Sequence, residues 1–489
     1  MSALFKSFVA RRAAVIFFAS IVGAFAQAQP EVADYNQMVV FGNSLSDNGN
    51  AHQVVCDPSE CGPDLFTNGK VVVEYLAELF TYPEPALSVA PAKNYTVYDT
   101  MGYSFDIYPP EGTNYAVAGT LVPVERQVGR YLASVSRRAN EQGLYVFFLG
   151  GNWVNYSLQQ EIEGEACSAE DPNVCPGRKA GMDRLAAYAQ SLRSSMQELI
   201  DAGAKHILVI NTDSFATIPN GPALFPEYLA ELDAYAFEYN HLVHQHIATL
   251  EQNFNINIQL FDLYTRVEEI KASHEDFQMT NIEDACGIYN TSTLSFDYTA
   301  PCSEQNVSGY MYYDGIHWAE SMHRTVASTI FLEALDMGPA KPELSFTGIV
   351  VSGSDRGFMF DASIDVTVAS VQFPYASYPA QKNGSGLGWS VNVENMAPGK
   401  YPYSIVLENS EGVKSRSYGD AIYVCEEKTL DQFVSSGQVQ YTPGFRWFWF
   451  STPGEYVISS TGERVGGDDD GNTRLSLLPV NGAWEYCPE

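Results

Sequence analysis

Ser44 stands in the stretch Val40-Phe41-Gly42-Asn43-Ser44-Leu45-Ser46-Asp47, where a short apolar run gives way to small and polar residues. A serine hydroxyl is a poor nucleophile until a base takes its proton. A histidine serves as that base at neutral pH when a carboxylate orients it and stabilises its cation. Near the other end of the chain, Asp314-Gly315-Ile316-His317 offers both groups, so the order along the chain is Ser, Asp, His. Each residue also has an ordinary reading. Gly-Asn-Ser-Leu-Ser suits any strand-to-loop turn, Asp314 suits a helix N-cap, and His317 suits a helix start or a surface. His323 shows how cheap a lone histidine is, and it lacks an aspartate three positions earlier. The stretch is not a Gly-x-Ser-x-Gly elbow, because Ser46 occupies the place of the second glycine.

Two more blocks bear on the same chemistry: Gly112-Thr113-Asn114-Tyr115-Ala116-Val117-Ala118-Gly119 and Phe148-Leu149-Gly150-Gly151-Asn152. A tetrahedral intermediate concentrates negative charge on one oxygen, and each fixed donor aimed at it is worth roughly 10²–10³ in rate. Asparagine supplies a side-chain donor and glycine lets backbone approach closely. Alone, Gly119 reads equally as a turn glycine and Asn152 as a helix cap. Together the four blocks resemble the SGNH, or GDSL-type, esterase and lipase family over roughly residues 37 to 335. The resemblance extends to Thr67-Asn68-Gly69-Lys70, to Tyr313 with Ala319-Glu320 and His323-Arg324, and to fainter echoes at Tyr239-Asn240-His241-Leu242 and Leu260-Phe261-Asp262. Within the family the chain looks most like the secreted lipase, phospholipase and haemolysin branch.

The resemblance implies a role for each matching position. Ser44 is the nucleophile on an ester carbonyl, His317 the base and then the acid, and Asp314 the group that fixes its tautomer. Ser44 and Gly119 give backbone N–H groups to an oxyanion hole and Asn152 its side-chain amide. No cofactor and no metal is implied. The chain departs from the family at two places: Asn43 stands where aspartate is usual, and Trp153 where aspartate commonly follows the asparagine. A bulky Trp153 is expected to narrow the site or to form an apolar wall for an acyl chain.

These residues need elements to position them. Met38 to Phe41, Leu144 to Leu149 and Ile207 to Ile210 are continuous apolar runs suited to strands covered on both faces. Val72, Val73, Leu76, Leu79 and Phe80 share one helical face, as do Leu185, Leu192, Met196 and Leu199 in a helix ending near Gly203. Alternating strands and helices predict an α/β fold, a parallel sheet with helices on both faces. After Gly338-Pro339-Ala340-Lys341-Pro342 the period changes to two: Ile364, Val366 and Val368 alternate with polar residues, as do Trp389, Val391 and Val393. The expected organisation is a signal peptide over 1–28, a hydrolase domain over 32–337, a linker over 338–343 and a β-sandwich-like accessory domain over 344–489.

The signal is read from Lys6, Arg11 and Arg12 followed by an apolar run from Ala13 to Ala26, too short for a spanning helix. Secretion, extracellular or periplasmic, is therefore expected, with no integral membrane segment after cleavage. Eight cysteines suit an oxidising compartment, and adjacency suggests the pairs Cys56/Cys61, Cys167/Cys175, Cys286/Cys302 and Cys425/Cys487. The 27 basic and 59 acidic residues give −32, and removing the three basic residues of the signal leaves 24 − 59 = −35. Such a charge disfavours nucleic acid and anionic bilayers as partners, and the resemblance implies a small-molecule or lipid ester as the substrate. Phospholipase or lipid acyltransferase activity is the nearest alternative. A reading from another class makes the chain a non-catalytic binder working through its β-rich domain, with Trp447 and Trp449 stacking on sugars or Asp468-Asp469-Asp470 holding calcium. The plainer readings are packing tryptophans and a solvated turn.

Overall fold

A computed structural model describes the chain from Tyr35 to Cys487, with 52–65, 81–88, 91–111, 167–174, 291–294, 335–340, a few isolated positions and most loops after 429 outside the description. The expected signal segment, Cys56, Cys61, Cys167, residues 338–340 of the linker and Asp468-Asp469-Asp470 lie outside the described residues. The chain divides into two compact units that part between Ala340 and Lys341.

The first unit is built on four parallel strands in the order of the chain: β1 (Gln37–Gly42), β2 (Gly143–Phe148), β3 (His206–Ile210) and β4 (Ile258–Phe261). Between and after them run α1 (Val72–Phe80), α2 (Glu125–Ser134), α3 (Gly151–Glu163), α4 (Pro176–Asp201), α5 (Leu229–Phe254), α6 (Leu263–Ala272) and α7 (Glu320–Ala334). The apolar runs are continuous because both faces are covered. Val39, Phe41, Tyr145, Phe147, Ile207 and Val209 pack with α2, α3, α4 and α5. Their neighbours Met38, Val40, Leu144, Val146, Leu208 and Ile210 pack with α1, α6 and α7 on the other side. Residues i and i+2 share a face, so one run of four apolar residues feeds two cores. At roughly 25 cal/mol per Å² of apolar surface, such double burial is the main favourable term for the sheet.

Beyond the sheet, β5 (Asn281–Ala285), the hairpin of β6 (Gly287–Asn290) and β7 (Ser295–Tyr298), and the short β8 (Tyr310–Tyr312) lead into the segment of Asp314 and His317. β5 pairs in parallel with β8.

The second unit is antiparallel throughout its described pairs. One sheet pairs Leu344–Ser352, Asp355–Ala362, Gly388–Val393 and Gln381–Lys382; another pairs Ala376–Pro379, Val366–Phe373, Ser404–Asn409 and Lys414–Tyr418. Phe358, Phe360 and Trp389 from the first share one core with Ala369, Val371, Ile405 and Leu407 from the second. The expected period of two holds at Trp389 and Val393 but fails at Val368, which is 52% exposed while Ala369 is buried. A register shift between Val366 and Val368 turns the face over, as a β-bulge does. Trp447 and Trp449 lie on a strand Trp447–Phe450 paired with Val439–Thr442, and their side chains lie outside the described residues.

Candidate active site

Ser44, Gly119 and Asn152 lie in segments that leave the sheet at the carboxyl ends of β1 and β2, the edge where open α/β sheets place their sites, while Asp314 and His317 follow β8, which pairs with β5 outside that sheet. Ser44 follows β1 by two residues and Asn152 follows β2 by four, and Gly42 and Phe148 are paired neighbours in the sheet. The segment ending at Gly119 runs along β1 as a fifth, irregular partner. Val40 N donates to Thr113 O (2.9 Å), Tyr115 N to Val40 O (2.8 Å) and Val117 N to Gly42 O (3.1 Å). Ser44 and Gly119 therefore emerge side by side.

The turn holding Ser44 is closed by its own backbone, with Ser46 N donating to Asn43 O at 3.0 Å. Asn43 Oδ1 accepts from Leu45 N (3.3 Å), so this departure from the usual aspartate caps the turn at Ser44 without adding a charge. Gly42 is required by close approach, since a Cβ there meets Ser46 Oγ at 2.8 Å and Phe148 O at 3.0 Å. Gln127 on α2 clamps the same glycine, its Oε1 accepting from Gly42 N (2.8 Å) and its Nε2 donating to Gly42 O (2.9 Å). Asp47 ties the loops together. Its Oδ1 accepts from Gly49 N and Asn50 N, and its Oδ2 from Ala51 N (3.0 Å) and Ala118 N (2.8 Å). Burial pushes this carboxyl up, against the four N–H groups that favour its anion. Asn50 Nδ2 reaches Asn114 O and Ala116 O, and Asn114 Nδ2 returns to Ser46 O. The sequence reading missed Gln127, Asp47 and Asn50. The signal for the last two was present in Asp47-Asn48-Gly49-Asn50, a run rich in residues that bond their own backbone.

Gly119 has φ +67° with open space around it, so glycine is needed there for conformation rather than room. Asn152 sits in the first turn of α3, and its Nδ2 is buried without a hydrogen-bond partner. A buried amide donor left unpaired costs about 1–3 kcal/mol, which an incoming oxygen would recover. Trp153 corrects an expectation. It is 1% exposed, stacked on Tyr188 at 4.9 Å and edge-on to Tyr239 at 6.0 Å. Its place on α3 turns it toward α4 and α5, into the core, and it forms neither a constriction nor an acyl wall.

Asp314 and His317 are brought together. Asp314 Oδ2 lies 2.8 Å from His317 Nδ1, while Oδ1 accepts from Ile316 N (2.8 Å) and His317 N (2.7 Å). Burial pushes the Asp314 carboxyl up, but the charge and hydrogen bond of His317 and the two backbone N–H groups outweigh it. The pKa is left below the ordinary carboxylate value. An ionised Asp314 fixes Nδ1 as the protonated nitrogen and leaves Nε2 with its lone pair. The helix-cap reading of this pair does not hold, since α7 begins three residues after His317. Phe66 packs at 4.9 Å from the imidazole, and Asn220 N donates to Gly315 O (2.9 Å). A side chain at 315 would collide with Asn220, which explains the glycine between Asp314 and His317. No hydrogen bond joins His317 to Ser44 among the described residues. Such contacts are commonly long in a free enzyme and tighten on substrate binding.

His323 is the buried histidine the sequence reading discounted. Its Nδ1 accepts from Val72 N (3.1 Å), joining α7 to the start of α1. Of the expected disulfides, Cys286–Cys302 is present. Cys175 and Cys425 are also disulfide-bonded. Among the described residues no cluster of histidine, cysteine and carboxylate side chains is arranged for a metal, and no helix is long and apolar enough to cross a membrane.

Residues 38–330 match the family described as GDSL-like lipase/acylhydrolase. Acetylajmalan esterase 2 of Rauvolfia serpentina is 22% identical over 383 residues, covering 67% of this chain and 98% of that protein. Lipase 1 of Photorhabdus luminescens is 26% identical over 183 residues, covering 36% of this chain and 22% of its own length. A solved engineered protein covers 61% of this chain and 81% of its own at 10% identity and a TM-score of 0.20, too low to bear on the fold.

Proposed function

Because the chain belongs to the family of GDSL-like lipases and acylhydrolases, an assignment that makes it an ester hydrolase, we propose that it is a secreted enzyme cleaving carboxylic esters through an acyl-enzyme on Ser44. His317 Nε2 takes the Ser44 proton as Oγ bonds to the ester carbonyl carbon. The resulting oxyanion is met by the N–H groups of Ser44 and Gly119 and by Asn152 Nδ2. Breaking the C–O bond releases the alcohol, which leaves with the proton from His317. Water then enters, gives its proton to His317 and attacks the acyl carbon; the acid departs as the proton returns to Ser44.

The observation that carries this reading is the Asp314–His317 contact with an ionised carboxyl, the arrangement an imidazole needs to act as base. The unpaired Asn152 Nδ2 supports the oxyanion role, and the Cys286–Cys302 bond suits export to an oxidising compartment. The two relatives are named as an esterase and a lipase, which supports esters as the substrate class. The second unit is read as a β-sandwich-like accessory domain on the shared core of its two sheets. The test is hydrolysis of chromogenic esters from short to long acyl chains by the full chain beside Ser44→Ala. Turnover in the parent alone supports the assignment, and the chain-length profile separates an esterase from a lipase. Equal turnover in both proteins overturns it.

A further inference from the structure

Beside the Asp314–His317 turn stands a small structure that the reaction scheme does not use. The turn is closed at its base by Tyr313 N donating to His317 O (2.8 Å), Ala319 N donating to Met311 O (2.9 Å), and an antiparallel bridge between Tyr312 and Trp318. The hairpin β6–β7 is fastened to the incoming strand of that turn. Cys286 N donates to Tyr312 O and Gly287 N to Tyr313 O, both at 3.0 Å. The Cys286–Cys302 disulfide closes the hairpin from behind, and Thr299 N donates to Cys286 O at 2.9 Å. Across the gap, the Phe296 ring of β7 lies flat on the Tyr313 ring, with centroids 3.7 Å apart and planes 8° from parallel. Tyr313 is the residue immediately before Asp314.

A satellite core completes the arrangement. Cys286, Cys302, Val307, Tyr310, Tyr313 and Ala319 pack together with Phe296 against them, apart from the two cores of the sheet. Tyr313 and Ala319 bracket the acid and the base on both sides. Gly287 makes the stack possible, since a Cβ there would come within 2.5 Å of the Phe296 ring. The hydrogen bonds inside the turn are local and set only its internal shape. Where the turn as a whole points is set by what grips it from outside: Asn220 at Gly315 O, Phe66 on the imidazole, and the contacts at its two ends.

We propose that the disulfide-closed hairpin β6–β7 is a positioning element of the active site, holding the Asp314–His317 turn in register through the Phe296–Tyr313 stack, with Phe296 its positioning residue. The proposal rests on the assignment of His317 as the base for Ser44. Phe296 touches no reacting atom. It acts by restricting the backbone at Tyr313, and so the position of His317 Nε2 relative to the nucleophile. Misplacement of a catalytic group by about 1 Å costs up to about 10² in rate, so releasing one of several restraints should cost about tenfold.

The experiment measures kcat and KM on a chromogenic ester for the full chain and five variants: Phe296→Leu, Phe296→Tyr, Cys286→Ser/Cys302→Ser, Ile288→Ser and Ser44→Ala. Phe296→Leu should lower kcat about tenfold with KM within twofold, at a temperature where its near-ultraviolet circular dichroism matches the parent. Phe296→Tyr keeps the stacked ring and should restore kcat to within about twofold. The double serine variant should fall in the same direction as Phe296→Leu. Ile288→Ser, on the same hairpin but with its side chain 67% exposed, should leave both constants unchanged. Parent-level kcat in Phe296→Leu, or equal losses in Phe296→Leu and Phe296→Tyr, with Ser44→Ala inactive, would overturn the positioning role and leave the reaction standing. Turnover persisting in Ser44→Ala would overturn the reaction itself, and this proposal with it.

Discussion

Acidification should destabilise the first unit through His323, by an amount the structure sets. The imidazole is 1% exposed, accepts from Val72 N, and stands edge-on to Trp318 at 5.5 Å. Burial, with a smaller contribution from the charge of His317, lowers its pKa from 6.5 to about 3. A histidine with a depressed folded-state pKa stays neutral in the native protein while the unfolded chain takes up the proton. The stability it contributes is full above the unfolded pKa and is lost as pH falls from about 6.5 toward 3. Each unit of pKa difference is worth about 1.4 kcal/mol, so between pH 7 and pH 5 the loss is about 2 kcal/mol. His323→Gln keeps an acceptor near Val72 N and removes the titration. Urea unfolding of both proteins at pH 5, 6 and 7, followed by tryptophan fluorescence, gives the comparison, and groups common to both cancel. The variant should have the lower stability at pH 7 and a pH dependence shallower by about 2 kcal/mol over this range. Parallel curves for the two proteins would refute the burial argument.

Three further outcomes are expected. Asp213, buried at the end of β3, has a carboxyl raised from 3.8 to about 6 by burial, partly offset by Lys271. Here the sign reverses: ionising it costs stability above pH 6 and nothing below about 4. Asp213→Asn should therefore gain about 2–3 kcal/mol in denaturant unfolding at pH 8, with the gain vanishing near pH 4. Gly119→Ala should cost about 1 kcal/mol in the same assay, because its φ of +67° strains any side chain, and should lower kcat more than it raises KM. Asp314→Asn removes the charge and leaves Nδ1 free to take the wrong tautomer, so kcat should fall by roughly 10³–10⁴ with the fold intact, as unfolding curves beside the parent would check.

Much of the architecture was legible because it depends on period and punctuation. Runs such as Leu144 to Leu149 announce strands covered on both faces, and Leu185, Leu192, Met196 and Leu199 trace one side of α4 down to its left-handed Gly203. The contact between Asp314 and His317 was legible for a related reason: three residues of separation allow one turn to bring Asp314 onto Nδ1 of His317. What escaped depends on neighbours remote in sequence. Gln127 clamps Gly42 across 85 residues and Asp47 reaches Ala118 across 71, and no local pattern encodes either partner. Trp153 was misjudged because adjacency in sequence to Asn152 says nothing of direction, and the next position on a helix points about 100° away. Val368 escaped because a bulge adds one residue without changing the alternation on either side. His323 has Glu320 rather than an aspartate three positions earlier, that carboxylate accepts from Tyr75 instead, and the partner of His323 is a backbone N–H 251 residues away.

The most direct test of the central claim is to incubate the full chain with a fluorophosphonate that esterifies activated serines, locate the adduct by peptide mass spectrometry, and repeat with His317→Ala. One adduct is expected, on Ser44, formed in step with loss of ester hydrolysis and slowed by orders of magnitude in His317→Ala. Hydrolysis that survives complete labelling of Ser44, or labelling at an unchanged rate without His317, would contradict it.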